Sequence, residues 1–347
     1  MKRWEYQNIH LLLAPVYLRM VYWCLRNRVT PFGLLKANSG LDHGGATFAS
    51  KYGIQMTFRQ ERFPPTILLC GTDSAEIRAQ QLQEFALQHR YPVILKPDLG
   101  RIGFGVTLVH SADEAAAFLE RVNADYLAQQ YAPGPLEFGV FYVRQKGVAQ
   151  IFAINSKEFP AVIGDGSSTV RTLLERHERL RRFQHLFNTT CFDDVPARGE
   201  EAVLSSVGSH TLGCVFRDVT ALRTPAMLEA VDAAVGVEGF NFGRLDVRTS
   251  DVEALQRGEF TVIEVNGVES LATNAFDPDY GYAQGLDWFT RQFRLLVEIA
   301  AEHRAVEMER VPLLEFFRRV ARAEDSINGL GSMLHVAPAA AKRDQQR

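Results

Sequence analysis

Two kinds of hydrophobic spacing occur along this chain, and together they predict an α+β architecture. Apolar residues recur at helical spacing in six segments, which predicts helices over 9–28, 74–89, 111–123, 225–237, 284–304 and 311–323. Runs rich in Val, Ile, Phe and Tyr predict strands over 91–97, 105–110, 126–131, 137–144, 148–159, 201–206, 214–220, 240–250 and 259–267. Because strands and helices do not alternate regularly, we expect α+β subdomains and not a doubly wound sheet.

The strand over 259–267 changes from apolar to polar along its length. A period of two predicts that four alternate side chains share one face of the sheet: Phe260, Val262, Glu264 and Asn266. This face leads from core residues to two oxygen-bearing side chains, which indicates a site at the end of the strand. A strand that simply ends in a polar turn is the alternative, since Asn-Gly is a common turn dipeptide.

The preceding strand carries charged side chains at the same spacing. Arg244, Asp246 and Arg248 share a face by the period-two rule. If the two strands pair as a hairpin, this face meets the one that carries Glu264 and Asn266. Carboxylate and amide oxygens suit Mg²⁺, and like charges so close together would be costly without a cation. The two strands therefore predict a magnesium site.

A lysine followed by a glycine-bearing loop occupies PVILKPDLGRIGFGVTLV, residues 92–109. A strand delivers Lys96, and Gly100, Gly103 and Gly105 permit close backbone approach and unusual φ angles. The N–H groups of such a loop can face phosphate oxygens while the lysine supplies a positive charge. The loop is not a P-loop, whose Gly-Lys-Ser/Thr follows the glycines, and a plain flexible hairpin is the alternative.

Composition limits the kinds of partner and the cellular compartment that we expect for this protein. The 347 residues are 46% hydrophobic and 23% charged, as is usual for a soluble globular protein. A net charge of −3 gives no reason to expect a nucleic-acid partner. Four cysteines without a C-x-x-C pair argue against a zinc knuckle and a disulfide scaffold, so a cytoplasmic location is expected.

The first 65 residues contain one helix and a glycine-rich loop. No apolar run reaches the roughly 20 residues of a membrane-spanning helix. The helix over 9–28 is expected to pack on the protein, and contact with a membrane surface is the alternative, because its apolar residues end in Arg26 and Arg28. The loop over 38–51 either is structural or shapes an acceptor pocket with His43, Gly44, Gly45, Ser50 and Lys51.

Taken together, these motifs resemble those of ATP-grasp enzymes, near the D-alanine–D-alanine ligases and the cyanophycin-synthetase-like carboxylate–amine ligases. The resemblance rests on the Lys96 strand with its glycine loop, on QQYAPGPLEFGVFYV (129–143) and on the D-x(17)-E-x-N pattern that begins at Asp246. It implies an ATP-grasp fold, in which two α+β subdomains clasp ATP, here with an atypical helical N-terminal segment. The expected domains are 1–65 (N-terminal segment), 66–160 (lid and hinge), 161–305 (metal site) and 306–347 (a helix and flexible tail).

The resemblance also implies roles in nucleotide binding. The family's first lysine binds nucleotide phosphates and its glycine loop covers them. Its hinge strand receives adenine, and a glutamate after the hinge holds the ribose hydroxyls. The corresponding residues here are Lys96, Gly100, Gly103, Gly105, Gln130, Tyr131 and Glu137. The chain departs from the family at the hinge, where Gln129 and Gln130 stand in place of an acidic residue, so the nucleotide preference is open.

Further roles concern catalysis. By resemblance, Lys157 is a second phosphate-contacting lysine, although a surface-strand lysine is an equal alternative. Arg244 and the Gly267 N–H would hold the oxyanion of the tetrahedral intermediate. The expected cofactors are ATP and two Mg²⁺ ions, for which Mn²⁺ can substitute, held by Asp246, Glu264 and Asn266.

The activity implied by the resemblance is ATP-dependent joining of a carboxylate to an amine, through an acylphosphate and with release of ADP and phosphate. The expected partners are small-molecule or peptide substrates. Two alternatives stay open, namely an ATP-grasp kinase and a nucleotide-binding partner protein without ligase activity. The sequence names neither substrate nor the oligomeric state.

Overall fold

A computed structural model gives the fold for residues 4, 8–46, 48–100, 103–187, 191–205, 208–308, 318 and 321. The α-helices are α1 (Ile9–Asn27), α2 (Lys51–Thr57), α3 (Ala75–His89), α4 (Ala112–Leu119), α5 (Val170–Arg176), α6 (Pro225–Val235), α7 (Val252–Gln256) and α8 (Tyr282–Glu302). The strands are β1 (Thr66–Leu69), β2 (Val93–Pro97), β3 (Thr107–Val109), β4 (Tyr126–Gln130), β5 (Leu136–Gln145), β6 (Val148–Glu158), β7 (Ala161–Ile163), β8 (Glu201–Val203), β9 (Val215–Asp218), β10 (Phe242–Thr249) and β11 (Thr261–Asn266). The predicted helix over 311–323 lies outside the described residues, apart from two of its positions.

The strands form three sheets in the part of the chain that the structure describes. Their orders are β11-β10-β5-β6-β9, β1-β4-β2-β3 and β7-β8. The register pairs of β10 with β5 and β11, of β5 with β6, and of β4 with β1 and β2 are antiparallel. Antiparallel sheets with interspersed helices confirm the predicted α+β class.

Contacts divide the chain into two compact units. Unit 1 comprises Met1–Pro64, Ala132–Lys157 and Phe216–Val320, and unit 2 comprises Pro65–Tyr131, Glu158–Val215 and Ala321–Arg347. This division differs from the consecutive segments expected from the sequence. The physical reason is that β5 pairs with β10, so that the hairpin of β5 and β6 belongs with residues far along the chain.

The five-stranded sheet of unit 1 has a hydrophobic core on each face. Alternate residues of β5 separate into the two cores, with Val140 and Tyr142 in one and Phe141 and Val143 in the other. The first core also includes residues of α6, and the second includes residues of α8. Glu137 lies four residues before Phe141 and therefore on the same face of β5. This second face thus becomes polar toward the start of the strand.

The N-terminal segment is an integral part of unit 1. Asn38 is fully buried, and its Oδ1 accepts from the backbone N–H groups of Asn241 and Phe242, each at 3.0 Å. Its Nδ2 donates to the carbonyl oxygens of Phe242 at 2.7 Å and Gly44 at 3.2 Å. After this loop comes α2, which the sequence patterns missed. Ser50 caps it by accepting from the N–H of Gly53.

Among the described residues, unit 2 includes two hydrophobic cores. The first is formed by β1 to β4 with α3 and α4, and it includes Leu82, Leu95 and Leu119. The second lies among residues 162–204 and includes Leu174 of α5. Thr169 caps α5 by accepting from the N–H of Thr172.

Candidate functional site

Three rows of register partners cross the polar part of the sheet in unit 1. The first row joins Lys157, Glu137 and Arg248 on β6, β5 and β10. The second row joins Asn155, Gly139, Asp246 and Glu264, and the third joins Ala153, Phe141, Arg244 and Asn266. Register partners in antiparallel strands present their side chains to the same face. The sheet therefore brings the sequence-predicted residues of unit 1 together.

Lys157 lies at the centre of these contacts. Its Nζ is 2.7 Å from Oε1 of Glu137 and 3.2 Å from Oδ2 of Asp246. Burial by itself lowers the pKa of Lys157. The carboxylates of Asp246 and Glu137 raise this pKa by more than burial lowers it, so the pKa lies above its ordinary value. Lys157 is buried and ion-paired, unlike a lysine on the surface of a strand.

Glu137 accepts from cations on both sides. Oε1 contacts Lys157, and Oε2 is 3.2 Å from Nε of Arg248. Arg248 is itself buried, and its Nη1 donates to the carbonyl oxygen of Ala132 at 3.4 Å. A carboxylate oxygen has two lone pairs, so the predicted contact to ribose hydroxyls would share these oxygens with the two cations. That role stays a prediction.

Arg244 and Asp246 form the fourth ion pair of the cluster. Nε of Arg244 is 3.1 Å from Oδ1 of Asp246, and its Nη1 donates to the carbonyl oxygen of Leu271 at 3.1 Å. Lys157, Arg244 and Arg248 thus face the two carboxylates of Glu137 and Asp246. Three cations against two anions leave one positive charge in excess, which suits an anionic ligand.

Gly139 leaves the space that the second row needs. A Cβ on this residue would lie 2.4 Å from Oδ1 of Asn155 and 3.1 Å from Cδ of Arg244. Asn155 is buried, and its Oδ1 accepts from Oγ1 of Thr273 at 2.8 Å. The glycine therefore allows an amide and a guanidinium to lie over the backbone of β5.

The prediction that four alternate side chains share one face of β11 is only partly correct. Asp246 pairs with Glu264, but the register shifts between Asp246 and Val247, so that Val247 pairs with Val262. Ile263 is the extra residue of this β-bulge, and such a bulge breaks the period of two. Val262 and Val265, three residues apart, consequently share one hydrophobic core.

Because of the bulge, the four side chains that were predicted to share a face do not all lie on the same face. Phe260 and Val262 face the core, whereas Glu264 faces the side of Asp246, its register partner. The predicted pairing of the two strands and the meeting of the carboxylates are nevertheless present.

Glu264 contacts the N-terminal segment. Its Oε1 is 2.8 Å from Nζ of Lys51, the first residue of α2. The sequence suggested Lys51 only as one of several residues of an acceptor pocket. The structure places this lysine at the predicted metal ligand.

Gly267 has a packing role in addition to its predicted role as an N–H donor. A Cβ at this position would lie 2.3 Å from the carbonyl oxygen of Gly44 and 2.6 Å from that of Gly45. The N–H of Val268 donates to the carbonyl oxygen of Gly44 at 3.1 Å. Residues 44–45 therefore pack directly on the backbone that follows β11.

Two amide side chains near the end of β11 lack partners among the described residues. Nδ2 of Asn266 is buried without a hydrogen-bond partner, and the same holds for both amide atoms of Asn274, which is fully buried. Buried polar groups are usually hydrogen-bonded, so these exceptions mark the loop after β11 as a place where a ligand or water would supply contacts.

The donor types at β10 and β11 fit a divalent metal ion. Asp246 and Glu264 are register partners, and Asn266 follows on the same strand. Each carboxylate contacts a protein cation, which shows that positive charge is accommodated beside both. Among the described residues, no three His, Cys, Asp or Glu side chains could form a metal site by themselves, so Asn266 and substrate oxygens would complete the ligand set.

The predicted nucleotide-binding residues of unit 2 lie on β2, β4 and the loop between β2 and β3. Nζ of Lys96 donates to Oε1 of Gln129 at 3.1 Å, and Nε2 of Gln129 donates to Thr66. Nε2 of Gln130 donates to the carbonyl oxygen of His89 at 3.2 Å, so its amide has a structural contact. Tyr131 follows β4 directly.

Two of the three glycines of the loop have the unusual φ angles that the sequence predicted. Gly103 and Gly105 adopt φ of 80° and 69°, angles that favour glycine. Gly100 precedes them, and residues 101 and 102 lie outside the described residues.

Several site residues were missed from the sequence. They are Gly139 and Asn155. Arg248 was placed on the face of Arg244 and Asp246 but was given no role, and Lys51 was not assigned to the metal site. The signal for the first two was present, since Gly139 follows Glu137 and Asn155 precedes Lys157 by two positions on predicted strands. Lys51 had no such signal, because its contact with Glu264 joins residues far apart in the sequence.

No family model matches the chain, and no curated protein matches it. Solved structures do match. The D-alanine–D-alanine ligase from Bacillus anthracis is 17% identical with a TM-score of 0.42, and the match covers 73% of this chain and 69% of that one. A D-cycloserine synthetase is 14% identical with a TM-score of 0.38, and the match covers 67% of this chain and 65% of that one.

A bifunctional glutathione synthetase from Pasteurella multocida also matches. It is 18% identical with a TM-score of 0.34, and the match covers 62% of this chain and 31% of that one. The chain thus spans less than two thirds of the glutathione synthetase and of the D-cycloserine synthetase.

Proposed function

We propose that this protein is an ATP-dependent ligase that joins a carboxylate to an amine. The observation that carries the proposal is the cluster on β5, β6, β10 and β11, in which four cations contact three carboxylates, two of which are the register partners Asp246 and Glu264. An excess of positive charge next to a pair of hard-oxygen ligands suits a polyphosphate bound with a divalent cation. The cluster also contains the motif residues that resemble those of ATP-grasp enzymes.

In the proposed reaction, an oxygen of the substrate carboxylate attacks the γ-phosphorus of ATP and ADP leaves. The amine nitrogen then attacks the acyl carbon, and phosphate leaves as the amide bond forms. The protein mainly positions the reactants and neutralises charge, as in other phosphoryl transfers. Lys157 would offset phosphate charge, and Arg244 with the Gly267 N–H would stabilise the oxyanion of the second step.

Asp246, Glu264 and Asn266 would hold the metal ions of the proposed site. Bound Mg²⁺ would neutralise phosphate oxygens and orient the transferred group. Lys51 contacts Glu264 at 2.8 Å, so metal binding would have to displace or share this ammonium. In unit 2, Lys96 and the loop with Gly100, Gly103 and Gly105 keep their predicted role as phosphate contacts.

The experiment that tests the proposal is ADP release with magnesium ATP against pooled amino acids, dipeptides and amines, with mass spectrometry of the products. We expect a product whose mass equals two substrates minus water. In Glu264→Ala, turnover should fall at least ~100-fold, since a metal ion contributes several kcal/mol of charge stabilisation. Glu259→Ala is the matched control, because Glu259 is exposed on the same hairpin and should keep full turnover.

The alternatives give different results in the same assay. ADP release that requires no amine, with a phosphorylated product, would indicate a kinase. Nucleotide binding without turnover on any substrate would indicate a binding protein. Full turnover in Glu264→Ala would contradict the metal role of this carboxylate.

Metal binding has a readout that is independent of turnover. Lys51→Met removes the cation from Glu264, so we expect a larger Mg²⁺-dependent rise in melting temperature than in the wild type. Glu264→Ala should abolish that rise, and an unchanged rise in both variants would contradict the assignment.

A further inference from the structure

Helix α1 has two apolar faces, and only one of them packs on the part of the chain that the structure describes. The packed face includes Leu12, Leu13 and Val16, which are buried. Contacts with α8 hold this face in place, since the hydroxyl of Tyr282 donates to the carbonyl oxygen of Leu12 at 2.8 Å. Arg19 likewise donates to Oγ1 of Thr290 at 3.1 Å.

The opposite side of α1 exposes large apolar side chains, and we term these residues the outer face of α1. Their exposed fractions are 76% for Leu11, 74% for Leu18, 55% for Val21, 57% for Tyr22 and 76% for Leu25. At about 100° per residue, they project within an arc of about 100° along the helix. Exposed apolar residues that stand singly are normal, but a contiguous group of this kind marks an interaction surface.

Basic residues flank the outer face on both edges. Arg19 and Arg26 project along one edge, and His10 and Arg28 lie along the other. Residues 9–28 contain no Asp or Glu. The outer face therefore combines exposed apolar side chains with uncompensated positive charge, and a partner must complement both properties.

A second copy of the chain complements only one of them. Two outer faces could pair through their apolar residues, and Leu11, Leu18 and Leu25 have the spacing of seven that helix pairs use. Pairing in either direction would, however, bring basic edges together, because neither edge carries a carboxylate. Like charges at that position disfavour the pair.

An anionic lipid surface complements both properties. Apolar side chains enter the boundary between headgroups and acyl chains, while flanking arginines extend to lipid phosphates. The helix is about 28 Å long, from 19 residues with a rise of ~1.5 Å each. Among the described residues, no helix is long and apolar enough to cross a membrane, so the contact would lie in the plane of the surface.

We propose that the outer face of α1 binds the surface of membranes that contain anionic lipids. This inference is independent of the proposed ligase activity, because no residue of the outer face belongs to the candidate site. Substitutions there should change lipid binding without changing turnover on water-soluble substrates.

The test is co-sedimentation of the full chain with phosphatidylcholine vesicles that do or do not contain phosphatidylglycerol. We expect binding to the anionic vesicles that weakens as salt is raised. Leu18→Glu should lower the partition coefficient at least ~10-fold, because it removes an inserted side chain and adds a repelled charge. Leu87→Glu is the matched control, since Leu87 is 79% exposed on α3, and it should leave binding unchanged.

Charge is tested separately from apolar contact. The double substitution Arg19→Gln and Arg26→Gln should lower binding by about 30-fold, from roughly 1 kcal/mol per arginine near an anionic surface. Arg257→Gln, at an exposed arginine far along the chain, should have no effect. Circular dichroism of each variant confirms that the helix content is retained.

Other outcomes would overturn the proposal. Absence of binding to anionic vesicles would do so, as would equal binding to neutral ones or equal effects of Leu18→Glu and Leu87→Glu. A dimer in light scattering that Leu18→Glu abolishes would assign the outer face to a second copy. If Leu18→Cys reacts with a maleimide far more slowly than Leu87→Cys in the monomer without vesicles, the chain itself covers this face.

Discussion

The ammonium of Lys157 lies 2.7 Å from a carboxylate oxygen of Glu137 and 3.2 Å from one of Asp246. This arrangement joins β5, β6 and β10 through one buried positive charge. All three side chains are almost inaccessible to water, so the charges depend on one another and on the two arginines beside them.

Removing the central cation should destabilise the fold. In Lys157→Met we expect the free energy of unfolding to fall by about 3–5 kcal/mol, because one partner of a buried ion pair leaves the other uncompensated. Urea denaturation measures this difference. Arg257→Met removes one partner of an exposed pair and should leave the urea midpoint close to that of the wild type. Equal effects of the two substitutions would show that Lys157 is not the structural centre of the cluster.

A methyl group at Gly139 should disturb the site. In Gly139→Ala the Cβ would lie 2.4 Å from Oδ1 of Asn155, so the amide or the neighbouring Arg244 must move. We expect a loss of about 1–3 kcal/mol, typical of overpacking. Turnover should fall as well, since Arg244 is proposed to act in catalysis.

The control for this change is Gly281→Ala, where no atom lies within 4 Å of the added Cβ. Thermal unfolding and the ADP-release assay should leave this variant close to the wild type. Combining Gly139→Ala with Asn155→Ala removes the clashing amide, so the two changes should be less than additive in stability. Strict additivity would contradict the steric explanation.

The third prediction concerns Asn38, which anchors the N-terminal segment. Asn38 makes four hydrogen bonds to backbone groups, and Asn38→Ala would leave them without their partner. We expect a loss of at least ~3 kcal/mol, because each unsatisfied buried group costs about 1–3 kcal/mol. Limited proteolysis should then cut residues 38–50 sooner. Asn123→Ala, at an exposed asparagine, should leave both measurements unchanged.

The surroundings of His177, in unit 2, predict that the stability of the protein depends on pH. Nδ1 of His177 accepts from the backbone N–H groups of Arg179 and Leu180, at 3.3 and 3.2 Å. Burial, followed by the charge of Arg179, lowers the pKa of His177 below its usual 6.5. A lowered pKa means that the unfolded chain binds the proton more readily, so this residue's contribution is present above pH 6.5 and is lost as the pH falls.

The measurement is melting temperature from pH 7.5 to pH 5. The decline should be shallower in His177→Asn, whose amide oxygen can accept from the same N–H groups at every pH. His110→Asn, at an exposed histidine, is the matched control and should follow the wild-type curve. A wild-type decline that His177→Asn leaves unchanged would assign the acid sensitivity to other groups.

Local periodicity determined much of this protein from the sequence alone. The predicted strands over 240–250 and 259–267 correspond to β10 and β11, and they pair as a hairpin with Asp246 opposite Glu264. The predicted helices over 9–28 and 74–89 correspond to α1 and α3. These features are predictable because the spacing of apolar residues, the caps and the turns lie within a few residues of one another.

The tertiary structure decided the features that depend on distant residues. A bulge at Ile263 places Glu264 on a different face of β11 from the core residues. No local sequence pattern predicts this bulge, because a bulge exists only in relation to the strand it pairs with, here β10. Lys51 contacts Glu264 and Gly44 packs on Gly267, in a segment that Asn38 joins to β10 by hydrogen bonds. The sequence supplied the chemical groups of the candidate site, whereas long-range strand pairing and burial determined which of them neutralise one another.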